Sequence, residues 1–138
     1  MAISEGPTQE SWIAATTFSS TSIYKFVCAD AEGHAIDASN VGSSNIWPIG
    51  SLYSQTRTTT TEAESVTVAT WGVVKVQAVE STMHAGNVCA ASTAGYAIAP
   101  STDYPIVGVV KYGSSGGTGR VLSVQLWKTG QTTTNPVA

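Results

Sequence analysis

Charge is scarce in this sequence. Of its 138 residues only 11% are charged, and the net charge is −3, whereas a typical soluble domain has about 25% charged residues. The six basic residues are scattered along the chain, but binding to a nucleic-acid backbone needs clustered cations. The composition therefore argues against a nucleic-acid partner. The basic residues are Lys25, Arg57, Lys75, Lys111, Arg120 and Lys128.

Long apolar runs are also absent. No stretch approaches the roughly 18 apolar residues that a membrane-spanning helix needs, so we expect no membrane association. The first ten residues have neither a basic segment nor an apolar core, so we expect no secretory signal and synthesis in the cytoplasm. With 42% apolar residues, the chain has enough hydrophobic surface to fold as one domain.

Helical periodicity is lacking, and alternation with period two replaces it. Gly, Ser, Asn and Asp clusters separate the alternating runs, as expected for turns. The pattern predicts an all-β fold, either a small β-sandwich or a β-barrel. The clearest strands are Ile23–Cys28, Ser65–Ala69, Val73–Ala78, Pro105–Tyr112 and Arg120–Trp127.

Both ends differ from this pattern, which divides the chain into three parts. Residues 1–15 are mostly polar and are predicted to form an extended N-terminal arm. Residues 16–128 are predicted to form the β domain. Residues 129–138 form a Thr-rich C-terminal tail without a core-forming pattern.

One segment of the sequence is echoed later in the chain. Val27-Cys-Ala-Asp-Ala-Glu-Gly-His-Ala-Ile36 resembles Val88-Cys-Ala-Ala-Ser-Thr-Ala-Gly-Tyr-Ala-Ile98, and a Pro-Ile sequence follows each copy, at Pro48 and Pro105. This alignment pairs Cys28 with Cys89 and His34 with Tyr96. Each copy reads as strand, Gly-containing turn, strand, loop and strand, so we expect two duplicated β units around one core.

Residues that could carry chemistry are few. Cys28, His34, His84 and Cys89 are the whole stock of zinc-type ligands, but their Cys-x5-His and His-x4-Cys spacings miss the tight pairs of structural zinc sites. Buried, reduced cysteines are the favoured interpretation, over a disulfide or a Cys89–His84 catalytic pair. No Ser lies in a G-x-S-x-G context. We therefore expect no enzyme activity, no metal and no cofactor.

The aromatic residues admit two interpretations. Trp12, Trp47, Trp71 and Trp127, together with five Tyr, suit either core packing or a contact surface for sugars or proteins. Packing is favoured for Trp71 and Trp127. Trp12 follows the polar arm and could anchor it to a neighbouring molecule.

Across residues 16–127 the chain resembles the decoration (cement) proteins of tailed-bacteriophage heads. The resemblance is one of style, with short strands, Ala-Gly turns and Pro-Ile returns. The segments that carry it are Ser22–Val27, the turns at Gly33 and Gly95, Pro48–Gly50, Glu62–Val74, His84–Val88 and Pro105–Gly108.

This resemblance implies a structural protein of the virion without enzyme activity. Such a protein would form a homotrimer on the outer capsid surface and clamp neighbouring major capsid subunits. An extended arm can add a strand to a sheet edge of its partner, which makes Ile3, Trp12 and Ile13 the candidate capsid contacts. Two alternatives stay open at this stage: another virion β module, from a tail or fibre base, and a carbohydrate-binding module.

Overall fold

The strands fall into two sheets, and each sheet is formed by one half of the chain. The computed structural model describes residues 7–42, 46–57, 64–79, 83–100, 102–113 and 120–126. The first sheet contains β1 (Thr8–Ala14), β2 (Phe26–Ala29), β3 (Ala35–Asp37), β4 (Gly50–Leu52) and β5 (Glu64–Trp71). The second contains β6 (Val73–Ala78), β7 (Val88–Ala91), β8 (Ala97–Ile98), β9 (Ile106–Tyr112) and β10 (Arg120–Leu126).

The two sheets have the same strand order, and both close into five-stranded barrels. The first runs β1-β3-β2-β4-β5 and returns to β1, and the second runs β6-β8-β7-β9-β10 and returns to β6. In each barrel the first and third strands pair in parallel, at Ala14 with Ala35 and at Ala78 with Ala97. We call residues 8–71 unit 1 and residues 73–126 unit 2. The predicted all-β fold of two duplicated units is confirmed, and sheet closure identifies the units as barrels.

Matching turns reinforce the duplication. In unit 1 the Asp30 carboxylate accepts hydrogen bonds from the Glu32 and His34 amides. In unit 2 the Ser92 hydroxyl accepts from the Ala94 and Tyr96 amides in the same way. Short polar side chains at this position of a turn satisfy the backbone donors that a β-ladder cannot reach. His34 and Tyr96 are therefore equivalent positions, as the sequence alignment predicts.

Each Pro-Ile sequence is followed by a glycine, Gly50 or Gly108, at a point where two strands approach closely. A Cβ on Gly50 would collide with the Ala69 carbonyl, and a Cβ on Gly108 would collide with the Gln125 carbonyl. In both units the neighbouring strand leaves no space for a side chain, so only glycine fits.

Gly72 is the one-residue linker between unit 1 and unit 2 in the sequence, and it adopts a left-handed φ of 92°. One hydrophobic cluster lies inside unit 1 and contains Phe18, Val27, Ala35, Leu52, Val66 and Val68. A larger cluster spans both units, joining Phe26, Cys28, Val41 and Ala69 of unit 1 to Val74, Val76, Leu122 and Val124 of unit 2, among others. The barrels therefore share a core.

Two sequence-based assignments differ from the structure. Residues 8–14 are extended, but they form β1, which pairs with β5 along its whole length. They thus belong to the β domain, because alternating Trp12 and Ala14 pack against the unit 1 cluster. The echo alignment is also displaced by one residue at its cysteine end, before the turn, since Val27 and Cys89 face the equivalent glycines Gly50 and Gly108. Cys28 therefore corresponds to Ala90.

Candidate interaction surfaces

The cysteines and histidines do not form a reactive centre. Cys28 and Cys89 are fully buried free thiols. Burial raises the pKa of each thiol to about 12, with the negative charge of Asp37 adding to the effect at Cys28. Because the thiolate is the nucleophile, neither thiol is prepared for attack at neutral pH. His84 is exposed, whereas Cys89 lies in the shared core.

A zinc site formed by Cys28, His34, His84 and Cys89 was disfavoured by the spacing of these residues in the sequence. Within the ranges that the structure describes, no group of three or more His, Cys, Asp or Glu side chains is arranged to hold a metal ion. His34 lies on the turn after β2, where its Nδ1 is 3.9 Å from Asp30 Oδ2. The same ranges contain no helix that is long and apolar enough to cross a membrane.

The candidate arm contacts have different environments. Ile3 lies outside the described residues. Trp12 is half-buried against the unit 1 cluster, and its Nε1 donates a hydrogen bond to Glu10 Oε1 at 3.1 Å. Ile13 points outward and is 37% exposed. Of the two described residues, Ile13 has the apolar side chain that is more available to a partner.

The junction between the units is organised around Tyr24, which the sequence pattern placed in a regular strand. Tyr24 has a left-handed φ of 69°, an unfavourable conformation for a residue with a Cβ. Its ring packs edge-to-face on Tyr53 at 5.3 Å, and Lys75 Nζ lies 5.7 Å from the ring centroid. Its carbonyl accepts a 2.7 Å hydrogen bond from the Gln77 amide of β6. These contacts hold the strained conformation in place.

Further polar contacts bind unit 2 to unit 1. The Gln77 side-chain amide donates to the Thr21 and Ile23 carbonyls, at 3.0 and 2.7 Å. On the other side of the junction, the Phe26 amide donates to the Gly95 carbonyl at 2.8 Å. Lys25 Nζ lies 4.9 Å from the centroid of the Tyr96 ring. The junction thus combines backbone hydrogen bonds, cation–π contacts and a shared apolar core.

A cleft of about 330 Å³ opens beside this junction. Its lining combines hydroxyl-bearing and apolar residues with one cation and one anion. Both charged groups already have partners in the protein: Lys25 lies over Tyr96, and Asp37 accepts from the Ser39 amide and hydroxyl. The polar residues of the lining are Thr16, Thr17, Ser22, Lys25, Asp37, Ser39 and Thr93.

The candidate aromatic contacts are dispersed. Trp71 is 40% exposed at the end of β5, and Trp47 is half-buried in the segment before β4. Among the described residues, the large apolar side chain with the highest exposure is that of Tyr112, at 73%, at the end of β9. Trp127 lies outside the described residues. Sequence reasoning missed the junction. One signal for it was present: Tyr24 in unit 1 occupies the position that Gly86 occupies in unit 2, and both residues are left-handed.

No protein-family model and no curated protein sequence matches this chain.

Proposed function

We propose that this protein decorates and stabilises the head of a tailed bacteriophage. It binds as a homotrimer to the outer capsid surface and clamps neighbouring subunits of the major capsid protein. It acts without catalysis, metal or cofactor. In an infected cell it is made in the host cytoplasm and ends in the virion.

The observation that carries this proposal is the place of the resembling segments in the fold. Gly33 and Gly95 form equivalent left-handed turns. Gly50 and Gly108 end the Pro-Ile returns at the points where strands meet. The turns and Pro-Ile returns on which the resemblance rests thus lie at equivalent positions of the two barrels, and this regular construction supports a structural role.

The distribution of polar groups also supports a structural role. Both thiols are buried with raised pKa values, and the charges beside the junction cleft are engaged within the protein. Two barrels sharing a core provide a rigid body, which suits a protein that must resist pressure from within a capsid. Weak contacts by each copy are multiplied when several copies are presented together.

The N-terminal contact remains a prediction. Ile3 and Ile13 are its apolar candidates, whereas Trp12 already packs on the unit 1 cluster. A contact through β1 would involve a strand of the folded barrel and not a free arm.

The direct test is the copy number of this protein in purified phage particles, measured by quantitative mass spectrometry against the major capsid protein. We expect a copy number close to that of the major capsid protein. A handful of copies per particle would indicate a tail or fibre-base component. Complete absence from particles would exclude a virion role.

A further inference from the structure

The contact between the two units covers one edge of β6. The Gln77 amide donates to the Tyr24 carbonyl at 2.7 Å, and the Lys75 amide donates to the Tyr53 hydroxyl at 2.8 Å. The Ser51 hydroxyl completes the contact by donating to the Lys75 carbonyl at 2.6 Å. Unit 1 therefore satisfies the Gln77 amide and the Lys75 amide and carbonyl on the side of β6 that faces away from β10.

The equivalent edge in unit 1 belongs to β1. Pairing of Ala14 with Ala35 matches pairing of Ala78 with Ala97, so Ile13 corresponds to Gln77. In β6 the residues are half-buried or buried except for Lys75, whereas β1 is exposed from Thr8 to Ser11 and again at Ile13. The Ala15 amide donates to the Ala35 carbonyl of β3, and alternation along the strand puts the Ile13 amide on the same side of β1. Within the described residues, β1 and β3 pair at Ala14 and Ala35 alone, so this strand edge is less covered there than the edge of β6.

The complementary surface is exposed at the other end of the molecule. Residues 22–25 of unit 1 are half-buried under unit 2, but their counterparts, residues 84–87, are exposed. The two segments have the same backbone geometry, because the Tyr24 amide donates to Leu52 and the Gly86 amide donates to Val110, both at 2.7 Å. Both central residues are left-handed, with φ values of 69° and 91°. The Gly86 carbonyl therefore projects as the Tyr24 carbonyl does.

We propose that these two exposed surfaces bind each other between copies of the chain. Residues 84–88 of one copy dock on the β1 edge of the next, as residues 22–26 dock on β6 within one chain. The Ile13 amide then donates to the Gly86 carbonyl. The Val88 amide donates to the Gly33 carbonyl, in the way that the Phe26 amide donates to Gly95.

The side chains at the two contacts differ. Within the chain the Gln77 side-chain amide donates to the Ile23 carbonyl, a hydrogen bond that Ile13 would not supply to the equivalent Ala85 carbonyl. The cation–π pair Lys25–Tyr96 would be replaced by Asn87 and His34, whose amide and imidazole can hydrogen-bond. The matching backbone geometry of residues 22–26 and 84–88, and not the side chains, therefore favours a second copy as the occupant.

Such a contact joins different surfaces of the two copies. It is therefore heterologous and yields either a closed ring or a head-to-tail chain. The inference stands on the junction within the chain, and does not depend on a virion role. It assigns Ile13 to a contact between copies and leaves the capsid to other residues.

The test uses one substitution at each end of the full-length chain. Ile13→Asp places a carboxylate on the β1 edge, and Ala85→Asp places one on the exposed 84–87 turn. Val121→Asp is the matched control, because Val121 is an outward residue of β10 with a similar exposure of 44%. Sedimentation velocity over a concentration series gives the dissociation constant, and thermal melting checks that each variant is folded.

The wild type and Val121→Asp should self-associate, whereas Ile13→Asp and Ala85→Asp should each weaken association at least about tenfold. An equimolar mixture of the two weakened variants should form a heterodimer that grows no further, since each supplies the intact end that the other lacks. A wild type that is monomeric at every concentration would overturn the proposal. So would folded variants that associate as the wild type does, or a mixture that stays monomeric.

Discussion

At the scale of single residues, this fold needs glycine for two reasons: a close approach of neighbouring backbone and a left-handed φ. Three glycines allow the two reasons to be tested separately. Gly50 and Gly108 lie where a Cβ would collide with the carbonyl of a neighbouring strand. Gly33 has open space around it but a left-handed φ of 83°. Collision with backbone cannot be relieved by a change of rotamer, whereas a left-handed alanine costs about 1–2 kcal/mol.

We therefore expect Gly50→Ala and Gly108→Ala each to lower the free energy of unfolding by at least about 3 kcal/mol. Gly33→Ala, the control, should lower it by about 1–2 kcal/mol. Urea denaturation of the three variants measures the difference. Equal losses at all three positions would contradict the close approach of β4 to β5 and of β9 to β10.

Tyr24 shows what a local pattern cannot provide. Alternation placed Tyr24 and Phe26 on one face of a strand that starts at Ile23. The structure starts β2 at Phe26, because Tyr24 turns into the left-handed region. The cause lies elsewhere in the sequence, in Tyr53, Lys75 and Gln77 of the junction. A contact between units overrides the preference of the local segment.

At the scale of elements, prediction succeeded where alternation or a repeated turn marked the strand. Val73–Ala78 was predicted with its observed bounds, and the echo gave the order strand, turn, strand, loop and strand that β2–β4 and β7–β9 follow. β1 was missed as a strand of the domain, since Glu10 is polar and exposed where the equivalent Val74 is apolar and buried. β1 closes the barrel through one residue pair with β3, at Ala14 and Ala35, and residues 8–11 are exposed; an exposed strand needs fewer apolar residues, so its pattern is weak.

The role of β1 changes what an N-terminal truncation should do. Removing residues 1–13 deletes the strand that pairs with β5, and with it the packing of Trp12 on the unit 1 cluster. We expect this truncation to lower the melting temperature by about 10 °C or more. Removing residues 1–6 deletes none of the paired residues and serves as the control, and differential scanning calorimetry compares the two. A truncation of residues 1–13 that melts like the full chain would show that β1 contributes little to unit 1.

At the scale of the whole molecule, the question is whether two barrels make one cooperative unit. Each barrel closes on itself, which would permit independent unfolding. The larger hydrophobic cluster nevertheless takes side chains from both, and the edge of β6 depends on unit 1 for its hydrogen bonds. Unfolding unit 1 alone would remove Phe26, Cys28, Ala38, Val41 and Ala69 from that cluster and leave the Gln77 and Lys75 amides without their partners. Because such losses are costly, unit 2 should not outlast unit 1.

Leu52→Ala tests this coupling, since Leu52 is fully buried in the cluster that belongs to unit 1 alone. The substitution should lower the free energy of unfolding by about 2–5 kcal/mol. Native-state hydrogen exchange then reports each unit separately. If the molecule unfolds as one unit, the slowest amides of β10 should lose as much protection as those of β5, although β10 contains no residue of the altered cluster.

Val121→Ala, at an exposed position of β10, should leave the protection of both sets of amides nearly unchanged. Loss of protection confined to β5 would mean that the barrels unfold separately, with the junction contributing less than the closure of each sheet.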